Sequence, residues 1–246
     1  MMIDLHSHIL PDLDDGPDGW EDSLEMARMA VEDGIRTMVA SPHLYQHRSV
    51  NPAEINHKEA IFKKISELKE RLGAAGLDLE ILPGCDFPLS YEGLQLLENN
   101  QVFTINDGQR YLLMEFPETS VPPGTEEICF RLNSKGLVPI ITHPERHLIF
   151  QEMPDKLRRF VDLGCLVQIT STSLTGGFGP QVARVARQML RKGHGHILAS
   201  DAHNSKTRPP LLSKALEEAS AVVGRKRALA MVTTNPEKII KGEPCF

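Results

Sequence analysis

A chain of 246 residues, 41% hydrophobic and 24% charged, is long enough to bury a core the size of one β/α barrel. Its formal net charge of −6 excludes a general nucleic-acid binder, which would carry a basic face. It does not exclude an anionic ligand, because bound divalent cations reverse the local sign.

Seven short apolar runs follow one another along the chain: Ile3–His6, Ile35–Ala40, Leu79–Leu82, Tyr111–Glu115, Val138–Thr142, Leu166–Ile169 and His196–Ala199. Patterns of helical period lie between them. Trp20, Leu24, Ala27 and Val31 share one face and are followed by Gly34; Asn51-Pro52 predicts a helix start for the stripe Ile61, Ile65, Leu68 and Leu72. Val182, Val185, Met189 and Leu190 form another stripe, stopped by Gly193. Strands alternating with helices pair in parallel through right-handed crossovers. The expectation is an α/β barrel occupying residues 1–246 as a single domain, with an open doubly wound sheet as the competing arrangement. The amino terminus lacks a charged and apolar leader, and no apolar run approaches the length of a membrane span. Cys85, Cys129, Cys165 and Cys245 form no C-x-x-C pair and read as packing thiols of a reducing compartment. A cytoplasmic protein without direct membrane insertion is expected.

The strand ends carry the chemistry. Run one ends in His6-Ser7-His8, run two leads into Ser41-Pro42-His43, and run three into Gly84-Cys85-Asp86. Run four closes with Glu115, run five with His143-Pro144-Glu145-Arg146, and run seven leads to Asp201-Ala202-His203. In a parallel barrel these ends open on one face. Five histidines and at least three carboxylates would converge there, and such crowding is resolved most simply by cations. Side-chain alternation aims His6 and His8 the same way, and Asp201-x-His203 repeats the spacing. Each position has a plainer reading beside this one. His43 and His143 could be satisfied strand-end histidines, and Glu115 could pair with Arg110 or Arg146. At least two of Asp12, Asp14 and Asp15 read as a solvated turn. His47, His57, His147, His194 and His196 read as structural or surface residues. Imidazole mixed with carboxylate, without thiolate, suits Mn, Fe or Zn. Arg146 and Arg208 follow ligand positions closely and match phosphate oxygens, with surface ion pairs as the alternative. The run-six loop Thr170–Gly179 offers hydroxyls and backbone donors. No cysteine precedes an arginine by six positions, and no Walker A loop, G-x-S-x-G elbow or G-x-G-x-x-G fingerprint occurs.

The opening Ile3-Asp4-Leu5-His6-Ser7-His8 resembles the polymerase and histidinol phosphatase (PHP) family of metal-dependent phosphoesterases. Leu13-Asp14-Asp15-Gly16-Pro17, Leu113-Met114-Glu115-Phe116-Pro117, His143-Pro144-Glu145-Arg146, Gln168-Ile169-Thr170-Ser171 and Ala199-Ser200-Asp201-Ala202-His203-Asn204 narrow the likeness. Together they resemble the bacterial manganese-dependent protein-tyrosine phosphatases encoded with capsule and exopolysaccharide genes, in register from Met2 to about Lys241. The resemblance implies a distorted (β/α)7 barrel of the PHP fold, like a TIM barrel, holding up to three Mn²⁺ ions. It implies that His6, His8 and Asp201 hold one ion, and Glu115 and His143 a second, with Asp86 bridging the two. Asp15, His43 and His203 would hold the third, Asp14 being the substitute for Asp15. Arg146 and Arg208 would contact phosphate. The implied substrate is the phosphotyrosine tail of a bacterial tyrosine kinase that controls polysaccharide export. A small phosphomonoester such as histidinol phosphate, or a non-catalytic module binding the kinase tail, are the rival readings. Relatives usually carry glutamate where this chain has Asp86, one methylene shorter. Oligomeric state is not legible.

Overall fold

The structure, a computed structural model, describes residues 1–44, 56–99 and 101–246. Among them β1 (Met2–Ser7), β2 (Ile35–Ala40) and β3 (Glu80–Pro83) form one parallel sheet in that order. β4 (Asp86–Pro88), β5 (Tyr111–Glu115), β6 (Val138–Ile141), β7 (Leu166–Thr170) and β8 (Ile197–Ala199) form a second. Parallel bridges close both seams: Ser7 pairs with Ala202, and His43 with Asp86. The result is a closed parallel barrel, as the strand–helix alternation predicts, and not an open sheet.

Seven runs were legible, and the missing strand is β4, whose Asp86-Phe87-Pro88 contains no apolar run. β3 and β4 are two halves of one stave. β3 pairs with β2, and the chain then steps across at Gly84-Cys85 so that β4 pairs with β5. Gly84 permits the step, since a Cβ there would sit 2.6 Å from Val39 Cγ1. Seven staves built from eight strands make the barrel the distorted (β/α)7 form.

Leu5, Val39, Leu82, Leu113, Ile140, Leu166 and Ile197, one from each predicted run, meet in a single cluster that fills the barrel lumen. Burying branched side chains at about 25 cal/mol per Å² makes this plug a main source of stability. A larger core lies between the sheet and the helices.

The helices are α1 (Trp20–Glu32), α2 (Lys58–Ala75), α3 (Tyr91–Glu98), α4 (Thr125–Ser134), α5 (Leu148–Glu152) and α6 (Pro154–Asp162). They continue as α7 (Ser171–Leu174), α8 (Pro180–Arg191), α9 (Ser213–Val223), α10 (Arg225–Ala230) and α11 (Thr234–Ile240). α2 buries Ile61, Ile65, Leu68 and Leu72 as expected; its N-cap is His57, while Asn51-Pro52 and His47 lie outside the described residues. α1 differs from the expected face. It buries Ser23, Met26, Ala27 and Ala30 and leaves Trp20, Leu24 and Val31 partly covered. The Ser23 hydroxyl donates to Ile9 O at 2.7 Å, which turns the helix about its axis at little cost in buried polarity. α8 buries Val185, Met189 and Leu190 as expected, together with Ala183 and Ala186, with Val182 at the margin.

Candidate metal centre

All nine sequence-predicted ligand positions converge at the carboxyl ends of the strands. A β-bulge in β1 makes this possible. Asp4 pairs with Met38 and Ser7 with Ala40, so three steps along β1 oppose two along β2. With Ile3 and Leu5 facing the lumen, strict alternation would turn His6 and His8 away from it. The extra residue reverses the parity and brings both rings inside.

Hydrogen bonds fix the ring orientations. His6 Nδ1 lies 3.2 Å from Gln168 Oε1, His8 Nδ1 2.6 Å from Asp14 Oδ2, and His203 Nδ1 2.9 Å from the Asp201 carbonyl. Each of these oxygens can only accept, so each Nδ1 carries the proton and each Nε2 presents a lone pair to the centre. His6 Nε2 and His8 Nε2 are 3.2 Å apart. Two lone pairs at that distance repel unless a cation lies between them.

The remaining spacings agree. Asp86 Oδ2 is 3.6 Å from His6 Nε2 and 3.6 Å from His43 Nδ1, so the shorter side chain still reaches both neighbours. Asp201 Oδ1 lies 3.5 Å from His6 Nε2 and 3.6 Å from His8 Nε2. Glu115 lies 3.5 Å from His143 Nε2 and 3.6 Å from His43 Nδ1, and its charge also acts on Arg146. Asp15 Oδ1 is 3.3 Å from His203 Nε2 and 3.5 Å from His43 Nε2. Donors that share an ion about 2.1 Å away sit roughly 3–3.5 Å apart, so these gaps suit cations. Three sets have donor atoms within 4.8 Å of one another: His8, Asp15, His43 and His203; His6, His8 and Asp86; and His43, Asp86 and Glu115. His8 and His43 thus adjoin two sets each, which the sequence did not suggest.

Burial makes the demand for cations acute. Asp86 is fully buried, and neither carboxylate oxygen has a hydrogen-bond partner. Desolvation, then Glu115 and Asp201, raise its pKa well above the carboxylate range. Burial lowers His6 to about 4, and it takes His8 and His143 well below the usual imidazole value. Neutral imidazoles and an orphaned carboxylate are the donor set a divalent ion requires. The residues fit a metal cluster.

Asp14 is not a solvated turn residue. It is buried beneath His8 and accepts from the backbone N–H of Gly16 at 2.9 Å and of His43 at 2.8 Å. It is placed to orient His8 and the His43 backbone. Asp12 and Asp15 are both exposed, two of the three as the turn reading expects, but Asp15 also faces His43 and His203.

Arg146 and Arg208 converge too. Their guanidinium nitrogens lie 2.5 and 2.6 Å from the same atom, Asp201 Oδ2, while Oδ1 faces the histidines. Burial works against ionising Asp201, but His6 and both arginines hold its pKa well below the carboxylate range. Neither arginine is in the surface ion pair weighed as an alternative. The run-six loop departs from expectation: Ser171 and Ser173 are buried, and Phe178 is the residue that reaches the arginines. Beside this cluster opens a cavity of about 350 Å³ whose walls include Glu115, Phe116, His143, Arg146, Leu148 and Phe178.

Gln168, Phe178 and Asp4 had no assigned role in the sequence. A lone glutamine in an apolar run is the one signal that could have pointed to Gln168. Asp4 accepts from the Ser200 N–H and hydroxyl, pinning β1 to the segment that carries Asp201, and burial raises its pKa to about 6.

The chain resembles known proteins over nearly its whole length. Tyrosine-protein phosphatase YwqE of Bacillus subtilis (strain 168) is 38% identical over 245 residues, covering 100% of this chain and 94% of that protein. Tyrosine-protein phosphatase CpsB of Streptococcus pneumoniae is 32% identical over 247 residues, covering 97% and 98%. A solved structure from the pair YwqE and CpsB, described as unique metal-dependent tyrosine phosphatases, superposes with a TM-score of 0.93 at 37% identity, covering 100% of this chain and 96% of that one. The family model described as capsular polysaccharide synthesis, CpsB/CapC, matches residues 2–241, and the chain belongs to that family.

Proposed function

We propose that this protein is a manganese-dependent protein-tyrosine phosphatase, with residues 1–246 acting as one cytoplasmic catalytic unit. Its substrate would be the phosphotyrosine tail of a bacterial tyrosine kinase that regulates capsule or exopolysaccharide synthesis. Family membership supports the reaction class. The observation that carries the metal dependence is the facing pair of Nε2 lone pairs on His6 and His8, beside the unpartnered Asp86.

His6, His8 and Asp201 would hold one ion and Glu115 and His143 another, with Asp86 shared between them. Asp15, His43 and His203 would hold the third. Bound there, up to three Mn²⁺ ions, or Fe or Zn in their place, supply Lewis acidity and water ionised near neutral pH. The chain's own groups do the rest. Arg146 and Arg208, poised on Asp201, offer planar donor pairs to the non-bridging phosphate oxygens and absorb charge as it builds in the transition state. Gln168 and Asp14 keep His6 and His8 in the ligating tautomer. The departing phenolate has a conjugate acid near pKa 10, so it leaves with little protonation, and no residue is assigned as general acid.

The test is hydrolysis of a phosphotyrosine peptide by protein stripped with chelator and then supplied with Mn²⁺, Fe²⁺ or Zn²⁺ in turn. Activity should vanish on stripping and return most fully with Mn²⁺. Undiminished turnover in the stripped protein would overturn metal dependence. A preference for histidinol phosphate over the peptide would overturn the substrate.

A further inference from the structure

Phe178 is placed where no structural need puts it. It belongs to the segment Gly176-Gly177-Phe178-Gly179, in which Gly176 and Gly179 both adopt φ of +90°. A side chain at Gly177 would meet Thr172 Cγ2 at 2.5 Å, so this tight turn tolerates side-chain bulk poorly at the position just before the phenylalanine. The turn spends backbone freedom to hold one aromatic ring at the edge of the centre. The ring is only partly buried and contributes to neither core cluster. Its neighbours are the two guanidiniums, with the Arg146 carbon 4.9 Å and the Arg208 carbon 6.0 Å from the ring centroid.

One explanation is that Phe178 steadies the arginines. They are already steadied, each by a short ion pair to Asp201. The ring also lines the cavity beside the centre, whose apolar wall includes Phe116, Leu148 and Val182. At about 350 Å³ the cavity is at the small end of ligand clefts, roughly 300–1,000 Å³. A phosphate gripped by Arg146 and Arg208 would direct its ester substituent along Phe178 into this space. An aromatic ring there stacks on Phe178 and covers the apolar wall; an aliphatic ester leaves both wet.

Building on the phosphatase reading above, we propose that Phe178 is a specificity-determining residue that recognises the aryl group of the phosphate ester. Selection for phosphotyrosine over phosphoserine is thereby made in the cavity, and not by the metal ligands.

The experiment compares kcat/KM of the Mn²⁺-loaded wild type, Phe178→Leu and Phe178→Ala on a phosphotyrosine peptide and on the matching phosphoserine peptide, with inhibition by inorganic phosphate as a third readout. For Phe178→Ala the phosphotyrosine value should fall roughly tenfold or more, while the phosphoserine value and the phosphate inhibition constant change by about twofold or less. Phe178→Leu, which keeps bulk without an aromatic face, should lie between. An equal fall on both peptides, or weaker phosphate inhibition in step with it, would assign Phe178 to arginine positioning and overturn the proposal. Unchanged selectivity would overturn it as well. A wild type that cleaves neither peptide would sink the phosphatase reading itself, a different outcome from a wild type whose selectivity ignores residue 178.

Discussion

Gln168 touches two of the candidate ligand residues. Its Oε1 faces His6 Nδ1 and accepts the His143 backbone N–H at 3.3 Å, and its Nε2 donates to Thr170 Oγ1 at 3.1 Å. Groups that orient metal-bound imidazoles are commonly worth 10–100-fold in metal affinity. Gln168→Leu should therefore weaken Mn²⁺ binding by about that factor, read by calorimetric titration of stripped protein. An unchanged dissociation constant would remove Gln168 from the ligand support. Two of the candidate ligands also carry backbone strain. His143 has φ 34° and Asp201 φ 52°, left-handed values for residues with a Cβ, which cost of order 1–3 kcal/mol each. The hydrogen bonds closing the β1–β8 seam hold Asp201 in that state: its N–H donates to His6 O at 2.9 Å, and the His8 N–H donates to Ala202 O at 2.8 Å.

Among the elements, the short strands decide the most. β4 sets Asp86 beside His43, through the Asp86 N–H that donates to Pro42 O at 3.1 Å. At the other end of the barrel, β7 and β8 are joined through His196. The Val167 N–H donates to its Nδ1 at 3.0 Å, and the ring meets Phe246 edge-to-face with centroids 5.0 Å apart. Burial, then the charge of Arg227, lowers His196 from 6.5 to about 4. Its folded pKa lies below the unfolded one, so the unfolded chain binds the proton first as pH falls. This contribution to stability is complete above pH 6.5 and is lost as pH falls from 6.5 toward 4. Protonating Nδ1 would also end its role as acceptor. Chemical denaturation across that window should show stability declining with acid, and His196→Asn should flatten the decline. An equal slope in both proteins would rule out His196 as the source.

At the scale of the molecule, the candidate ligands span residues 6 to 203 and come from both sheets. Unfolded, they are far apart, so cations held by them would bind the native state selectively and stabilise it by mass action. Mn²⁺ at a hundred times its dissociation constant should add about 2.7 kcal/mol per independent site. The melting temperature should therefore rise with Mn²⁺ and fall on chelation. A Tm indifferent to both would mean that the carboxylates and imidazoles do not share an ion.

The amino-acid sequence by itself determined the strand–helix alternation and the identity of the converging side chains. Those depend on local period and on which groups follow each apolar run. Only the tertiary structure decided the two-part stave at Gly84, the bulge that turns His6 and His8 inward, the burial of Asp14, and the approach of Phe178 to the arginines. Each depends on contacts between segments far apart in the chain, where a one-residue change of register reverses which side chains face the centre. Hydrophobic period carries no record of that register.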